Sequence, residues 1–311
     1  MFLRWLKSQS VMPTAFSCEQ LDDLLCQFIQ HVYDEREGMG KSIAVAAVYG
    51  VEMYLPRTKG QLTVAYRYLK GWDKLVPSKP LPPFTKDIVS AIAIHMAKKG
   101  QSRYALAVLL QFDCLLRVNE LVNLRARDVL FRGESRLGST ATVQSRHRFS
   151  DAVLCFRHTK TGPLQSVPVL DFDVAKLLRF SLIGKRPDDF LFPAKGDSKR
   201  SRIDAYRKAL KSACRELGLS SDYNTHSCRH GGATHLYHNM LWSLEDIRLR
   251  GRWRGQNSAA HYIQAGVPLL AQYKPPDCVA SAGALFSQNL LESFALAQSV
   301  FARTRGAGGS V

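Results

Sequence analysis

The sequence predicts a mainly α-helical chain with a small β-sheet, divided into two domains by a proline-rich linker. Three observations predict it. Apolar residues recur at helical spacing through much of the chain, as at Leu21, Leu24, Leu25, Phe28, Ile29 and Val32. One stretch departs from that period: AVLCFRHTK, then the turn TG, then LQSVPVLD read as the two strands of a hairpin. Between these regimes, PSKPLPP at 77–83 is too rich in proline for a helix or a central strand.

The elements follow in order. Ser17-x-x-Gln20 is a capping-box pattern and opens the first helix. Further helices near 41–55 and 61–72 complete a small helical domain over 1–76, with 77–84 as linker. Thr85 caps a helix that runs to Lys98-Lys99-Gly100, where cations and a glycine suit a C-terminus. Tyr104–Leu116 is almost wholly apolar and reads as a buried helix ended by Arg117, with Glu120 starting the next one. Residues 131–150 (FRGESRLGSTATVQSRHRFS) are polar and basic, a loop by composition. The hairpin then places Lys160 at its tip. Helix returns at 198–217, with Ile203, Tyr206, Leu210, Cys214 and Leu217 inside and Arg200, Arg207, Lys208, Lys211 and Arg215 outside. The second domain extends over 85–275. An amphipathic helix follows over 276–303, and 304–311 reads as a disordered tail. The apolar stripe of that helix, Leu285, Phe286, Leu290 and Phe294, suits either a neighbouring protomer or its own domain.

Composition narrows the partner. The 311 residues carry 43 Lys and Arg against 26 Asp and Glu, a net +17, with 46% hydrophobic residues. A soluble fold with that excess predicts a polyanionic partner, most often nucleic acid. The basic residues are spread along the chain, so the binding surface belongs to the fold. Seven cysteines are widely spaced without a CxxC, which disfavours a disulfide scaffold and suits a reducing compartment. No run of 18 apolar residues exists to span a membrane, and MFLRWLKSQS has no signal-peptide core.

Four islands carry the chemistry. They are LLRVNEL with Arg117 and Glu120, HTKTG with Lys160, THSCRHGGATHL with His226 and Arg229, and GRWRGQNSAAHYI with Trp253 and Tyr262. An arginine at the end of a buried helix is costly unless it meets an anion in a cleft. His226 and Arg229, at i and i+3, share one face of a helix start, where free N–H groups and the dipole favour anions. His230, His235, His238 and Cys228 lack the CxxC or HxxxH spacing of zinc sites, so no metal and no cofactor is expected. Gly231-Gly232 would permit close backbone packing.

In this order the islands resemble the tyrosine recombinase, or phage integrase, family: Arg, Lys, His-x-x-Arg, Trp or His, then Tyr. The resemblance covers most of 85–265. HSCRHGGATHL with GRW is most similar to recombinases of eukaryotic mobile elements of the DIRS, Ngaro and Crypton kinds. A tryptophan nine residues before the tyrosine is also the Cre-type arrangement. The resemblance implies a helical core-binding (SAM-like) domain, short here as a truncated one would be, and a catalytic domain clamped around double-stranded DNA, working as a homotetramer. It implies Tyr262 as nucleophile, Arg117 and Arg229 as phosphate clamps, Lys160 as general acid, and His226 as the group that deprotonates Tyr262. Trp253 would donate its indole N–H to the phosphate, and Glu120 would orient Arg117 or His226. Arg200, Arg207, Lys208, Lys211 and Arg215 would lie along DNA. A nuclear location follows only from the mobile-element resemblance.

Other readings remain. A type IB topoisomerase shares the chemistry but usually carries a basic residue other than histidine before its second arginine. A domesticated DNA-binding protein would bind without cutting. An RNA-binding module is the remote alternative, since neither RNP aromatics nor a KH-type GXXG is evident.

Overall fold

The computed structural model describes residues 1–11, 16–77, 81–132, 151–159, 162–196 and 198–307. The chain divides into two units, Met1–Lys79 and Pro80–Val311.

The first unit is helical. Four helices, α1 (Phe2–Ser8), α2 (Cys18–Glu35), α3 (Lys41–Tyr54) and α4 (Thr63–Leu75), enclose Leu25, Ile29, Val48, Leu62 and Ala65. The capping box forms reciprocally: the Gln20 N–H donates to Ser17 Oγ (3.1 Å) and the Ser17 N–H to Gln20 Oε1 (2.9 Å). Leu62 cannot cap α4 with its side chain. The buried Asp22 of α2 does so instead, accepting the N–H groups of Val64 (2.9 Å) and Ala65 (2.8 Å). Helix α1 has no counterpart in the sequence-based reading; Phe2 and Leu6 bury against α2.

The second unit is mainly α with one three-stranded antiparallel sheet, the fold class the sequence predicts. Its first helices are α5 (Lys86–Lys98), α6 (Ser102–Asp113) and α7 (Val118–Asn123). Thr85 caps α5, its hydroxyl accepting the Ile88 N–H (3.1 Å). The strands β1 (Val129–Phe131), β2 (Ala152–Thr159) and β3 (Gly162–Val169) pair in chain order, with Val129 opposite Leu154 and Leu154 opposite Val167. Then come α8 (Phe172–Ser181), α9 (Lys199–Glu216), α10 (Thr225–His238), α11 (Leu244–Gly251), α12 (Gln256–Gln272), α13 (Asp277–Gln288) and α14 (Leu290–Ala307). Nearly every side chain of α5 and α6 is buried, so these two helices are the centre of the core. Gly231 and Gly232 let α10 approach them: a side-chain carbon at either position would strike the carbonyl of Phe84 or of Phe112.

Several expectations change. The buried helix stops at Asp113, not Leu116, because Leu115 adopts a left-handed conformation (φ 50°); Arg117 therefore caps α7 and does not end α6. The hairpin gains a third strand, β1. On α9, Ile203 and Leu217 are only half-buried, whereas Arg202 is buried, its Nε donating to the Val122 carbonyl (3.0 Å). The single C-terminal helix is two, broken at Asn289, and helix continues to Ala307, into the segment expected to be a tail. The apolar stripe turns inward: Leu290 and Phe294 join the core of their own unit, while Leu285 stays exposed. Residues 133–150 lie outside the described residues.

Candidate functional site

The turn after α6 organises the site. Left-handed geometry costs a non-glycine residue about 1–2 kcal/mol, and Leu115 is wholly buried. Its carbonyl accepts hydrogen bonds from Arg229 Nη1 and from Arg252 Nη2 (3.2 Å). Two residues on, Arg117 is extended and begins α7. Its main-chain N–H meets Glu120 Oε2 (2.9 Å), its Nη1 meets Glu120 Oε1 (2.7 Å), and its Nη2 donates to the Arg252 carbonyl (3.0 Å). The Arg117 side chain remains 21% exposed, so its other N–H groups can reach a ligand. Burial opposes ionisation of Glu120. The Arg252 charge, the Arg117 N–H and the two guanidinium hydrogen bonds outweigh it and hold the carboxyl below its usual range.

Arg229 comes from the first turns of α10. Asn224 caps that helix by accepting the His226 N–H (2.8 Å), and the Ser227 hydroxyl accepts the Asn224 N–H (3.1 Å). Arg229 is 2% exposed and donates to the carbonyls of Leu115 and Gly251. Its guanidinium lies 4.3 Å from the centre of the Trp253 ring, a cation–π contact. Burial, then the charges of Arg117 and Arg252, lower its pKa, but a guanidinium so placed is still charged at neutral pH.

Trp253 and Tyr262 stand together, their rings 5.5 Å apart, over a small apolar cluster of Leu115, Ala233, Leu236, Ile247, Ala259 and Ile263. Gly251 leaves the room that the Trp253 ring fills. Tyr262 lies in the middle of α12, and its carbonyl lies 2.6 Å from His230 Nε2. Two other tyrosines near it in the chain compete for the nucleophile's place and sit elsewhere: the Tyr273 hydroxyl donates to Asp222 (2.8 Å), and Tyr237 is exposed beside His238. His226 is exposed at the first turn of α10. Partial desolvation, then the charges of Arg229, Arg117 and Arg207, lower its pKa. Lys160 lies outside the described residues. The geometry thus gathers Arg117, Glu120, Arg229, Trp253 and Tyr262, with His226 at the edge.

Residues 84–267 match the phage integrase family. The chain belongs to that family. Three solved structures share its fold. A Tn1549 transposon integrase in complex with transposon right end DNA is 12% identical, over 84% of this chain and 86% of that chain, with TM-score 0.53. A lambda integrase dimer bound to a COC' core site is 14% identical, over 84% and 70%, with TM-score 0.51. The XerH site-specific recombinase bound to palindromic difH substrate, a post-cleavage complex, is 16% identical, over 87% and 86%, with TM-score 0.50. A search of curated proteins finds no match.

Within this family member, a cleft of about 600 Å³ opens beside Arg117, lined by Asn119, Asn123, Arg125, Arg157 and Lys199 among others. Its cations suit a phosphate backbone. Arg200, Arg207, Lys208, Lys211 and Arg215 are all exposed on α9, as the sequence predicts, and Arg207 is the one whose charge is felt at His226. Among the described residues, no three His, Cys, Asp or Glu side chains gather as metal ligands would, and no helix is long and apolar enough to cross a membrane. Two residues escaped the sequence reading: Arg252, which grips Glu120 (2.7 Å), and Arg250, which donates to the Asp113 carbonyl (2.8 Å). The only sequence signal was the arginine at every second position of RLRGRWR.

Proposed function

We propose that this chain is a site-specific DNA recombinase or integrase that cuts and rejoins strands through a phosphotyrosine on Tyr262. The observation that carries the reading is the convergence of Arg117, Arg229, Trp253 and Tyr262 from α7, α10, the turn after α11, and α12. The Tyr262 oxygen attacks the DNA phosphorus, the bond to the 5′-oxygen breaks, and a 3′-phosphotyrosyl ester remains. His226 takes the phenol proton, and Lys160 delivers a proton to the leaving oxygen. Arg117 and Arg229 stabilise the charge gathering on the phosphoryl oxygens, with the Trp253 indole N–H as a further donor. The ester conserves the bond energy, so a 5′-hydroxyl from a second strand reverses the step without ATP. Two duplexes exchanging strands in this way call for four protomers, a homotetramer on DNA.

The basic face of α9 supplies the duplex contacts. HSCRHGGATHL with GRW supports placing the chain with DIRS, Ngaro and Crypton recombinases, and with that a nuclear site of action. One observation favours a second reading, a DNA-binding protein that does not cut. Arg229 is shielded beneath Trp253, and both of its terminal nitrogens are engaged by protein carbonyls. Catalysis by Arg229 then depends on its remaining N–H groups becoming accessible when DNA enters.

Covalent capture separates the readings. The protein is incubated with a nicked random-sequence duplex library, denatured in detergent, and the attached DNA and peptide are identified. A phosphotyrosyl peptide at Tyr262, lost in Tyr262→Phe, is the expected result. An adduct on Tyr237 or Tyr273 would displace Tyr262 from its role, and salt-sensitive binding with no adduct would favour the second reading.

A further inference from the structure

Arg252 combines three costly features at one position. It ends α11 in the left-handed region (φ 55°), where glycine fits without strain and arginine does not. It is only 6% exposed, so a charge is desolvated. Its Nε–H is buried without a hydrogen-bond partner. Such features persist at one residue only when the surrounding structure requires them. Both of its terminal nitrogens are engaged: Nη2 donates to Glu120 Oε2 (2.7 Å) and the Leu115 carbonyl (3.2 Å), and Nη1 to the Arg250 carbonyl (2.8 Å). The guanidinium also lies 5.1 Å from the centre of the Phe156 ring.

These contacts converge on Arg117. Glu120 Oε2, which Arg252 grips, accepts the Arg117 main-chain N–H, and Oε1 accepts Arg117 Nη1. The left-handed turn brings the Arg252 carbonyl within 3.0 Å of Arg117 Nη2. We propose that Arg252 is the positioning residue for Arg117: its side chain fixes Glu120, its main chain fixes the second terminal nitrogen of Arg117, and the N–H groups left over face the DNA phosphate. Arg252 itself is too enclosed to meet DNA. The inference rests on the reading of Arg117 as a phosphate contact.

The test compares full-length Arg252→Gly, Arg252→Lys, Glu120→Gln and Arg117→Ala with the wild type. Glycine suits the backbone of this turn, so Arg252→Gly removes the side chain while easing the main chain, and thermal melting checks that each variant folds. On a nicked duplex recovered by covalent capture, Arg252→Gly is expected to lower the single-turnover adduct rate at least tenfold. Arg252→Lys, which returns a charge to Glu120 without the fork, should recover part of it. Arg252→Gly combined with Glu120→Gln should be no slower than the slower single variant, because both act through one contact. The salt dependence of duplex binding needs no cleavage: losing one phosphate contact lowers the slope of log K against log salt by about 0.9. Arg117→Ala and Arg252→Gly should both show that loss, although only Arg117 can touch DNA. A folded Arg252→Gly with wild-type rate and slope, beside an impaired Arg117→Ala, overturns the proposal and leaves the reading of Arg117 intact. An Arg117→Ala that itself behaves as wild type removes that reading, and the proposal with it.

Discussion

His226 shows how single residues set the working range of the site. Partial desolvation and the charges of Arg229, Arg117 and Arg207 all disfavour its protonated form, so its pKa lies below the ordinary value of about 6.5. If His226 takes the phenol proton of Tyr262, as proposed, the neutral ring is the working form. Protonation abolishes that capacity, and it sets in only as the pH drops through the lowered value. Adduct formation at limiting DNA, which reports groups of the free protein, should therefore show an acid limb centred below 6.5. His226→Asn should lower the plateau by about 10²-fold, the usual size of a general-base contribution, and remove the acid limb. A limb centred above 6.5 would mean that another group takes the proton. Glu120 does not confuse the measurement, since Arg252 and Arg117 keep it ionised across this range.

At the scale of elements, the site depends on how closely α10 lies against α5 and α6. A side-chain carbon on Gly232 would strike the Phe112 carbonyl and sit 2.6 Å from Leu115 Cδ2, so Gly232→Ala must push α10 outward. The expected cost is about 2 kcal/mol by urea denaturation, with a slower adduct step because Arg229 leaves the Leu115 carbonyl. The same substitution at Gly71, in α4 with nothing within 4 Å, should stabilise its own unit by about 0.5–1 kcal/mol. Opposite signs for one chemical change would show that packing, not helix propensity, decides at Gly232. Elements of this kind were legible where a local signal exists. Ser17 and Gln20 spell a capping box, Thr85 announces α5, and the pair Gly231-Gly232 marks a close approach. What escaped depends on distant partners. The apolar run through Leu116 reveals burial, but the reversal at Leu115 answers to Arg229 and Arg252, which lie far along the chain. Strand β1 has three residues, too few to show a period, and exists because β2 is there to pair with it. Arg250 and Arg252 escaped because nothing local shows that Asp113 and Glu120 await them.

For the whole molecule, the +17 charge and its placement make different claims. Net charge raises the local concentration of any polyanion, but at physiological salt that field is screened within about 8 Å. Only cations that touch phosphate release counterions, and the salt slope counts them. Arg200, Arg207, Lys208, Lys211 and Arg215 line the outer face of α9, and Arg207 lies near enough to His226 for its charge to lower that pKa. If DNA lies along α9, replacing Lys208, Lys211 and Arg215 together by alanine should reduce the slope of log K against log salt by about 2.7, three contacts at about 0.9 each. Fluorescence anisotropy of a labelled duplex across a salt series measures this directly. The alternative has its own signature. If α9 faces away from DNA, the triple variant keeps the wild-type slope, and its affinity declines only at low salt, where the field of the net charge still reaches. The duplex would then have to cross the molecule along the cleft of Asn119, Asn123, Arg157 and Lys199 without using α9 at all.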